Sequence, residues 1–480
     1  MPLLIAWSKQ WWPAVLAGIF FLGAVAYGFP DSPAPWFDQG INLGIAKTYA
    51  LDGVYSLGLG AGKVVENRPL MISTNYPLLA WITLGFKLFG VGLAQAQLVM
   101  LAFLVVFLFV SFLLARRLFG GQSAFLAIGL TVTFLPFYGN GLSGGLGEVP
   151  GLAYLFLALL FFDRRESPVT ALAGIFFGLA ITTKIFYLLL LLPVLLVEII
   201  FAWRERVVPW KRWFWLSVGI VLPLIIWVRT LLPGGFSSTG LQEALAYYRN
   251  PYRLVESTFL KNIFSFATES TLAHFAFLGA IVYGGFFTQK RWRTVQRAEL
   301  ILLLFVPLNL IYFLKGPGWF RYLFPAHLVL LVMSPGMLSA LIERWRPKQI
   351  AGWLVIGVLG ILIAAQTIHF FRHRSDKLYY NPAPRAQAAE LSAEIPATAD
   401  LYLVDHPELW FLLPGTGARQ FIHMNPYTAF GDDFFTLGNY PRYVVVDRPE
   451  QAFKEADYAI FSRRYAPYKN FCLYTVFLLR

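Results

Sequence analysis

Cysteine and charge are both scarce in this chain. Its 480 residues include a single cysteine, Cys472, and only 14% of the residues are charged. One cysteine cannot form an intramolecular disulfide, and it excludes every metal site that needs two or more thiolates. Soluble domains carry about 25% charged residues, so the low charge argues against a protein surrounded by water on all sides.

Apolar residues take the place of the missing charge. Hydrophobic residues make up 58% of the chain and aromatic residues 17%, and the mean hydropathy is +0.60. This composition predicts an α-helical polytopic membrane protein. The net charge of +13 does not indicate a nucleic-acid partner, because the basic residues lie mainly in short loops between apolar runs, which is typical of membrane proteins.

Apolar runs long enough to cross a bilayer recur through the first three-quarters of the chain. A crossing needs about 20 apolar residues, and somewhat fewer where its ends are anchored. We predict about eleven transmembrane helices, at residues 11–29, 92–115, 121–138, 148–162, 169–183, 185–202, 213–232, 271–288, 298–314, 322–341 and 350–371.

The basic residues orient these spans. With the N-terminus in the cytoplasm, every inner segment carries Lys or Arg, as the positive-inside rule expects. These residues are Lys9, Arg116, Arg117, Arg164, Arg165, Arg204, Arg206, Lys211, Arg212, Lys290, Arg291, Arg293, Arg297, Arg344, Arg346 and Lys348. The same rule makes residues 71–90 an interfacial helix instead of a crossing. It also divides residues 169–202 into two crossings with an outer turn at Thr182-Thr183-Lys184.

The residues after the last span are therefore expected outside the cytoplasm. We predict a transmembrane domain at residues 1–374 and a small extracytoplasmic α/β domain at 375–480, in a protein of the plasma (inner) membrane. In the second domain, the residue pattern predicts strands and helices. The strands are expected at 401–404, 443–446, 458–461 and 473–479, and the helices at 386–394 and 449–456.

The first outer loop, about residues 30–91, is long, and long loops with little regular structure are usually functional. It contains Asp38, followed by Tyr76-Pro77-Leu78-Leu79-Ala80-Trp81; the second span ends in Ala115-Arg116-Arg117-Leu118-Phe119-Gly120. The order of these segments resembles that of the class C integral-membrane glycosyltransferases, such as the protein O-mannosyltransferases and the lipid A aminoarabinose transferases. The likeness extends over roughly residues 10–340 and implies transfer of a sugar from a polyprenyl-phosphate donor.

The resemblance implies that Asp38 is the catalytic base. In these enzymes an acid in the first outer loop takes the proton of the acceptor as it attacks the sugar, and a positioned carboxylate contributes roughly 10²–10⁴-fold to the rate. Base and leaving phosphate then lie on opposite faces of the sugar, which predicts inversion. The alternative role for Asp38 is to cap a helix that begins at Gln39.

The resemblance also implies the rest of the site. Glu148 matches a second acid that contacts the acceptor or the sugar; alternatively, it only favours the N-terminus of its helix. Cations must hold the leaving phosphate, and the candidates are Lys184, Arg321, Arg68 and Lys315. The alternative for these long side chains is snorkelling at span ends.

Tyr76 and Trp81 are expected to line a groove for the lipid or the acceptor. One departure from the family lies beside them. Aminoarabinose transferases have a lysine directly before the proline pair of this segment, whereas this chain has Asn75-Tyr76-Pro77. The corresponding phosphate contact is then absent or comes from elsewhere, for example from Arg68.

No cofactor and no metal site are expected, because family members with a monophosphate donor need no metal for catalysis. The expected partners are the polyprenyl-phosphate sugar, membrane lipids and an acceptor whose class (protein, lipid or glycan) stays open. The alternative function is a transporter or flippase for a lipid-linked saccharide. Such a protein would carry its functional charges near the middle of the bilayer and show internal repeats.

Overall fold

The structure of the chain is a computed structural model. It describes residues 15–27, 29, 37–60, 63–64, 74–163, 167–231, 256–288, 294–344, 346–377, 383–396, 399–413, 418–421, 435, 438, 440–471 and 474–480. Arg68, one of the predicted phosphate ligands, lies outside these residues.

The first part of the chain is helical. Its helices are α1 (Val15–Tyr27), α2 (Phe37–Asp52), α3 (Tyr76–Phe89), α4 (Leu93–Phe119), α5 (Gly121–Thr133), α6 (Leu135–Gly141), α7 (Glu148–Phe162), α8 (Ser167–Thr183), α9 (Leu191–Glu205), α10 (Trp210–Leu231), α11 (Glu256–Thr268), α12 (Ser270–Thr288), α13 (Arg297–Lys315), α14 (Phe324–Glu343) and α15 (Lys348–Lys377). Two 3₁₀ turns precede α9 and α14, at Ile185–Leu190 and Phe320–Tyr322, and a short hairpin of β1 (Gly58–Gly60) and β2 (Lys63–Val64) follows α2.

All eleven predicted spans coincide with apolar helices. Within the described residues, seven helices are long and apolar enough to cross a membrane, or eight if the bent pair α5 and α6 is one span. The shorter apolar helices α1, α7 and α8 occupy the other three predicted spans. The fourth short apolar helix, α3, coincides with the predicted interfacial helix, and its outer face exposes Trp81, Leu84, Leu88 and Phe89.

The bend between α5 and α6 directs the chain towards the candidate site. The two helices meet at 69°, and Phe134 between them is extended. Pro136 occupies the first turn of α6, where the missing N–H costs nothing. The chain then continues through the glycine-rich residues 141–147 into Glu148, the first residue of α7.

The second part of the chain is an α/β unit built on a sheet. Among the described residues, the strand order is β4 (Ala418–Phe421), β3 (Leu401–Val404), β5 (Tyr443–Val446), β7 (Thr475–Leu479) and β6 (Tyr465–Asn470). The first three strands are parallel, and β7 is antiparallel to both of its neighbours. Its helices are α16 (Ala383–Glu394), α17 (Pro407–Leu412), α18 (Pro449–Ala452) and α19 (Glu455–Arg464).

The prediction of a strand at residues 458–461 is wrong, because these residues belong to α19. A run of four apolar residues fits a turn of helix as well as a strand. The flanking charges decide in favour of the helix: Glu455 and Asp457 lie in its first turn, and Arg463 and Arg464 in its last. Both pairs complement the helix dipole.

Close helix crossings hold the transmembrane part together. A Cβ atom on Gly174 of α8 would collide with the carbonyl oxygen of Leu216 on α10, and one on Gly219 of α10 would collide with the carbonyl oxygen of Ala171. Small residues let two membrane helices approach this closely. The α8–α10 contact matters for the site because α8 ends next to Lys184.

The replacement Gly174→Leu should therefore separate α8 from α10. Overpacking of this kind costs about 1–3 kcal/mol, so we expect a lower unfolding temperature of the detergent-solubilised protein. Gly357→Leu on α15 is the matched control, because a Cβ atom there meets nothing within 4 Å. Equal unfolding temperatures for the two variants would show that the close crossing is unimportant.

Candidate active site

Two ion pairs contain four of the residues predicted for the site. Asp38, in the first turn of α2, accepts a hydrogen bond from Nη1 of Arg321 in the 320–322 turn. Lys184, between α8 and the 185–190 turn, donates through Nζ to Oε1 of Glu148. The side chain of Glu148 is 0% exposed and that of Lys184 5%. The pairing joins each predicted acid to one predicted phosphate ligand.

The two pairs form one cluster of charges. Burial lowers the pKa of Lys184, and Arg321 acts in the same direction, although Glu148 and Asp38 oppose them. Burial by itself would lower the pKa of Arg321 too, but the carboxylates of Asp38 and Glu148 outweigh it and raise that pKa. Each pair thus acts electrostatically on the other.

The position of Lys184 follows from the way in which α8 ends. Lys184 is extended, with φ −151° and ψ 138°, so the helix stops at Thr183. The Thr183 carbonyl then accepts a hydrogen bond of 2.9 Å from the backbone N–H of Asn75. This bond attaches the Tyr76-Pro77 segment at the start of α3 beside Lys184.

Tyr187 fixes Glu148 from the other side. Its hydroxyl donates to the backbone carbonyl of Glu148, and its ring packs so closely on α7 that a Cβ atom on Gly151 would overlap with it. The side chain of Glu148 is thereby directed to Lys184, while its second oxygen, Oε2, is buried and has no hydrogen-bond partner among the described residues. Glu148 is also the first residue of α7. It therefore lies at the N-terminus of this helix, as its alternative role requires, and forms the ion pair with Lys184 as well.

The glycine-rich residues contact the helix that carries Asp38. Asn42, one turn after Asp38 on α2, donates from Nδ2 to the carbonyl of Gly145 at 2.8 Å. Gly145 has φ +85°, a conformation that glycine adopts without strain. The loop before Glu148 and the helix of Asp38 are therefore held together. Asp38 lies within the first turn of α2, not ahead of it as an N-cap of Gln39 would.

Aromatic rings orient the guanidinium of Arg321. It lies 4.5 Å from the centroid of the Trp319 ring and 5.1 Å from that of Tyr322. Stacking of this kind restricts the plane of the guanidinium fork. Lys315, at the end of α13, belongs to the same connection between spans, but its side chain is exposed, and it contributes to neither ion pair.

The predicted groove residues lie on α3. The Tyr76 hydroxyl donates to the Pro223 carbonyl of α10 at 3.2 Å. Trp81 is 53% exposed, and its indole N–H donates to the hydroxyl of Tyr154 on α7, also at 3.2 Å. These bonds attach α3 to the helices around the cluster and leave an aromatic outer face beside it.

The C-terminal unit contacts the helix of Asp38 directly. A Cβ atom on Gly40 would collide with the backbone of Pro407 and Glu408 in α17. Lys47 lies over the Trp410 ring at 4.8 Å and donates to its carbonyl at 3.3 Å, and burial lowers its pKa. Sequence reasoning missed α17, because no local pattern indicates which distant segment packs on a glycine of α2.

No group of three or more His, Cys, Asp or Glu residues in the described part of the chain is placed to hold a metal ion. Two histidines lie one turn apart on α15, His369 and His373, with ring centroids 4.6 Å apart. His274 and His327 form a second pair, in which the two rings share a hydrogen bond of 2.9 Å.

Loss of Glu148 should destabilise the protein strongly. The variant Glu148→Ala leaves Lys184 buried without its counter-charge, and breaking a buried pair in this way costs about 3–5 kcal/mol. The double variant Glu148→Ala/Lys184→Met should recover much of the loss in a thermal unfolding measurement. Glu394→Ala, which breaks the more exposed pair with Lys469, should have little effect. A small loss in the Glu148→Ala variant would mean that the pair is not structurally important.

Gly40→Leu should loosen the contact between α2 and α17, since no side chain fits at Gly40. We expect faster hydrogen–deuterium exchange of residues 37–52 and 407–412, with unchanged exchange in α14. Leu51→Gln is the control, because Leu51 lies on the same helix and is 64% exposed. Protection equal to that of the wild type would show that the domain does not depend on this contact.

The first comparison with known proteins is at the level of sequence families. Residues 69–228 match the model of the dolichyl-phosphate-mannose-protein mannosyltransferase family. This match contains α3 to α9 and most of α10, and with them Glu148 and Lys184. The comparison with curated proteins gives no match.

Solved structures match over nearly the whole chain. ArnT from Cupriavidus metallidurans in the apo state is 15% identical, with a TM-score of 0.62 and coverage of 99% of this chain and 98% of that one. The same protein bound to undecaprenyl phosphate gives 15% identity, a TM-score of 0.55 and 97% coverage of both chains.

A third match is the Archaeoglobus fulgidus oligosaccharyltransferase tethered with an acceptor peptide. It is 12% identical, with a TM-score of 0.54 and coverage of 96% of this chain and 73% of that one. The matched family and the matched structures are class C glycosyltransferases that depend on polyprenyl phosphates. The chain therefore has the fold of the class C glycosyltransferases, and the resemblance predicted from its sequence is confirmed.

Proposed function

We propose that this protein transfers a sugar from a polyprenyl-phosphate carrier to an acceptor at the outer face of the plasma membrane, with inversion at the anomeric carbon. The observation that carries the proposal is the cluster of Asp38, Arg321, Glu148 and Lys184, which is buried where the first outer loop meets the turns between spans. The similarity to a protein solved with undecaprenyl phosphate supports a lipid-linked donor.

In this proposal, Arg321 and Lys184 hold the phosphate of the donor. Both cations are already paired with carboxylates and largely shielded from water. An incoming phosphate therefore competes with these carboxylates for the two cations. The guanidinium fork can bind two phosphate oxygens at once, and Trp319 and Tyr322 orient it. Arg68 and Lys315 remain further candidates for this role.

Donor binding and base activation are then coupled. Asp38 is held in its ion pair with Arg321; when the phosphate binds the guanidinium in its place, the carboxylate is free to contact the acceptor. The acceptor hydroxyl or amine attacks the anomeric carbon and gives its proton to Asp38. The bond from that carbon to the phosphate oxygen breaks, its electron pair stays on the phosphate, and Arg321 and Lys184 stabilise the charge that develops there.

Glu148 is proposed as the second polar anchor. Its Oε2 atom is buried and accepts no hydrogen bond among the described residues, and such a group gains stability when a donor reaches it. A hydroxyl of the sugar or of the acceptor is a suitable donor. The lipid tail is proposed to lie along α3, beside Tyr76 and Trp81.

The proposed orientation follows the positive-inside rule, with the N-terminus in the cytoplasm and the C-terminal domain outside. We propose residues 1–374 as the transmembrane domain and 375–480 as the extracytoplasmic domain. Because α17 of the second domain packs on α2, this domain lies close enough to the cluster to cover it or to bind the acceptor.

Sugar transfer in membranes from a set of radiolabelled polyprenyl-phosphate sugars tests the proposal. We expect turnover by the wild type and a loss of roughly 10²–10⁴-fold in Asp38→Asn, with donor binding at least as strong as in the wild type. Asp52→Asn, at the exposed end of the same helix, should keep full activity.

Two outcomes would contradict the proposal. Full activity of Asp38→Asn would remove Asp38 as the base while leaving the enzyme class intact. Absence of transfer with every donor, together with movement of a lipid-linked saccharide across vesicle membranes, would support the transporter instead.

A further inference from the structure

A cavity of about 830 Å³ lies among α1, α4, α5 and α15. None of its lining residues belongs to the ion pairs of the candidate site. Pockets of roughly 300–1,000 Å³ hold drug-sized ligands, so the cavity is large enough for an elongated apolar molecule. Its walls are mainly apolar, with Leu16, Phe20, Phe125 and Ile363 among the lining residues.

The cavity has the length of one lipid leaflet. Residues from Gly121 to Thr133 of α5 line it, a distance of about 18 Å at the helical rise of 1.5 Å per residue. Half of a hydrocarbon core that is about 30 Å thick measures about 15 Å. A single acyl chain of one leaflet therefore matches the cavity, whereas a longer polyprenyl chain exceeds it.

The two ends of the cavity differ in the polar residues that line them. At the end formed by the last turn of α4 and the first turn of α5, Arg116 and Gln122 line the cavity, and both side chains are exposed. At the other end, Thr133 donates its hydroxyl hydrogen within the protein, to Gln366 at 2.8 Å. The end with Arg116 is the cytoplasmic end in the orientation proposed above.

Arg116 differs from its neighbour Arg117 in its contacts. Arg117 forms an ion pair of 2.5 Å with Asp163 and donates to the carbonyl of Leu160 at 2.9 Å. Arg116 has no ion-pair partner among the described residues. One of two adjacent arginines thus serves the fold, while the other presents, at the mouth of an apolar cavity, a charge that no described residue neutralises.

We propose that this cavity binds one acyl chain of an anionic phospholipid, with the phosphate at Arg116 and Gln122. A zwitterionic lipid offers the same chain and phosphate, but its own cation competes with Arg116 for that phosphate. The donor lipid is a poor occupant, since its phosphate belongs at Arg321 and Lys184, which do not line the cavity. The site is independent of the reaction proposed above.

Native mass spectrometry of the full-length protein in mixed micelles tests the proposal, with phosphatidylglycerol and phosphatidylcholine of identical acyl chains as probes. We expect the wild type to retain one phosphatidylglycerol in preference to phosphatidylcholine. Arg116→Gln should reduce that preference about fivefold, the effect of one basic residue at an anionic surface. Lys211→Gln, an exposed cytoplasmic-side charge away from the cavity, should leave it unchanged.

A second variant tests the cavity itself. A Cβ atom on Gly121 meets nothing within 4 Å, so Gly121→Leu can extend into the mouth without displacing the protein, and it should abolish retention of both lipids. Gly284→Leu on α12, whose Cβ atom also meets nothing within 4 Å, should retain phosphatidylglycerol. Equal retention of the two lipids by the wild type, or undiminished retention in both Arg116→Gln and Gly121→Leu, would overturn the proposal.

Discussion

The cost of burying charge governs the arrangement of the candidate site. Removing an ion from water costs several kcal/mol even after relaxation, and only a close partner offsets this. Lys184 and Glu148 are almost completely buried, and the side chains of Arg321 and Asp38 are 10% and 17% exposed. Each cation therefore lies against a carboxylate. Without those contacts, the turns that carry them would have to expose their charges to water.

This pairing joins parts of the chain that are distant in sequence. Asp38 and Arg321 are 283 residues apart, and Lys184 and Glu148 are 36 apart. Around them, backbone contacts attach the Asn75 segment to the end of α8 and the glycine-rich loop to α2. The C-terminal unit packs on α2 as well, so α2 connects the helical part of the chain to the C-terminal sheet.

Stability and catalysis place opposite demands on these charges. A charge that is fully neutralised by its partner stabilises the fold but cannot act on a substrate. The structure meets both demands if the donor phosphate replaces Asp38 at Arg321, because the cation is then never unpaired. The carboxylate is freed only when a lipid phosphate occupies Arg321. In this view, the ion pairs hold the site in a resting state that the donor itself converts into the active one.

Composition and the positive-inside rule were sufficient to locate the spans, since every predicted span coincides with an apolar helix. They also predicted that Asp38, Glu148, Lys184 and Arg321 lie at the ends of spans or in the turns between them, because most charged residues of this chain lie outside the apolar runs. The partner of each charge could not be predicted, since it depends on how distant turns pack. The strand predicted at residues 458–461 failed for a local reason: four apolar residues carry too little periodicity to distinguish strand from helix.

The affinity of the purified protein for a polyprenyl phosphate without sugar tests the exchange of partners at Arg321 most directly. Removal of the competing carboxylate should strengthen binding in Asp38→Asn, while removal of the cation should weaken it in Arg321→Gln. These opposite changes, measured in the same detergent and at the same pH, are what exchange at Arg321 predicts. Unchanged affinity in Arg321→Gln, or equally weakened affinity in both variants, would contradict the proposal that the phosphate replaces Asp38.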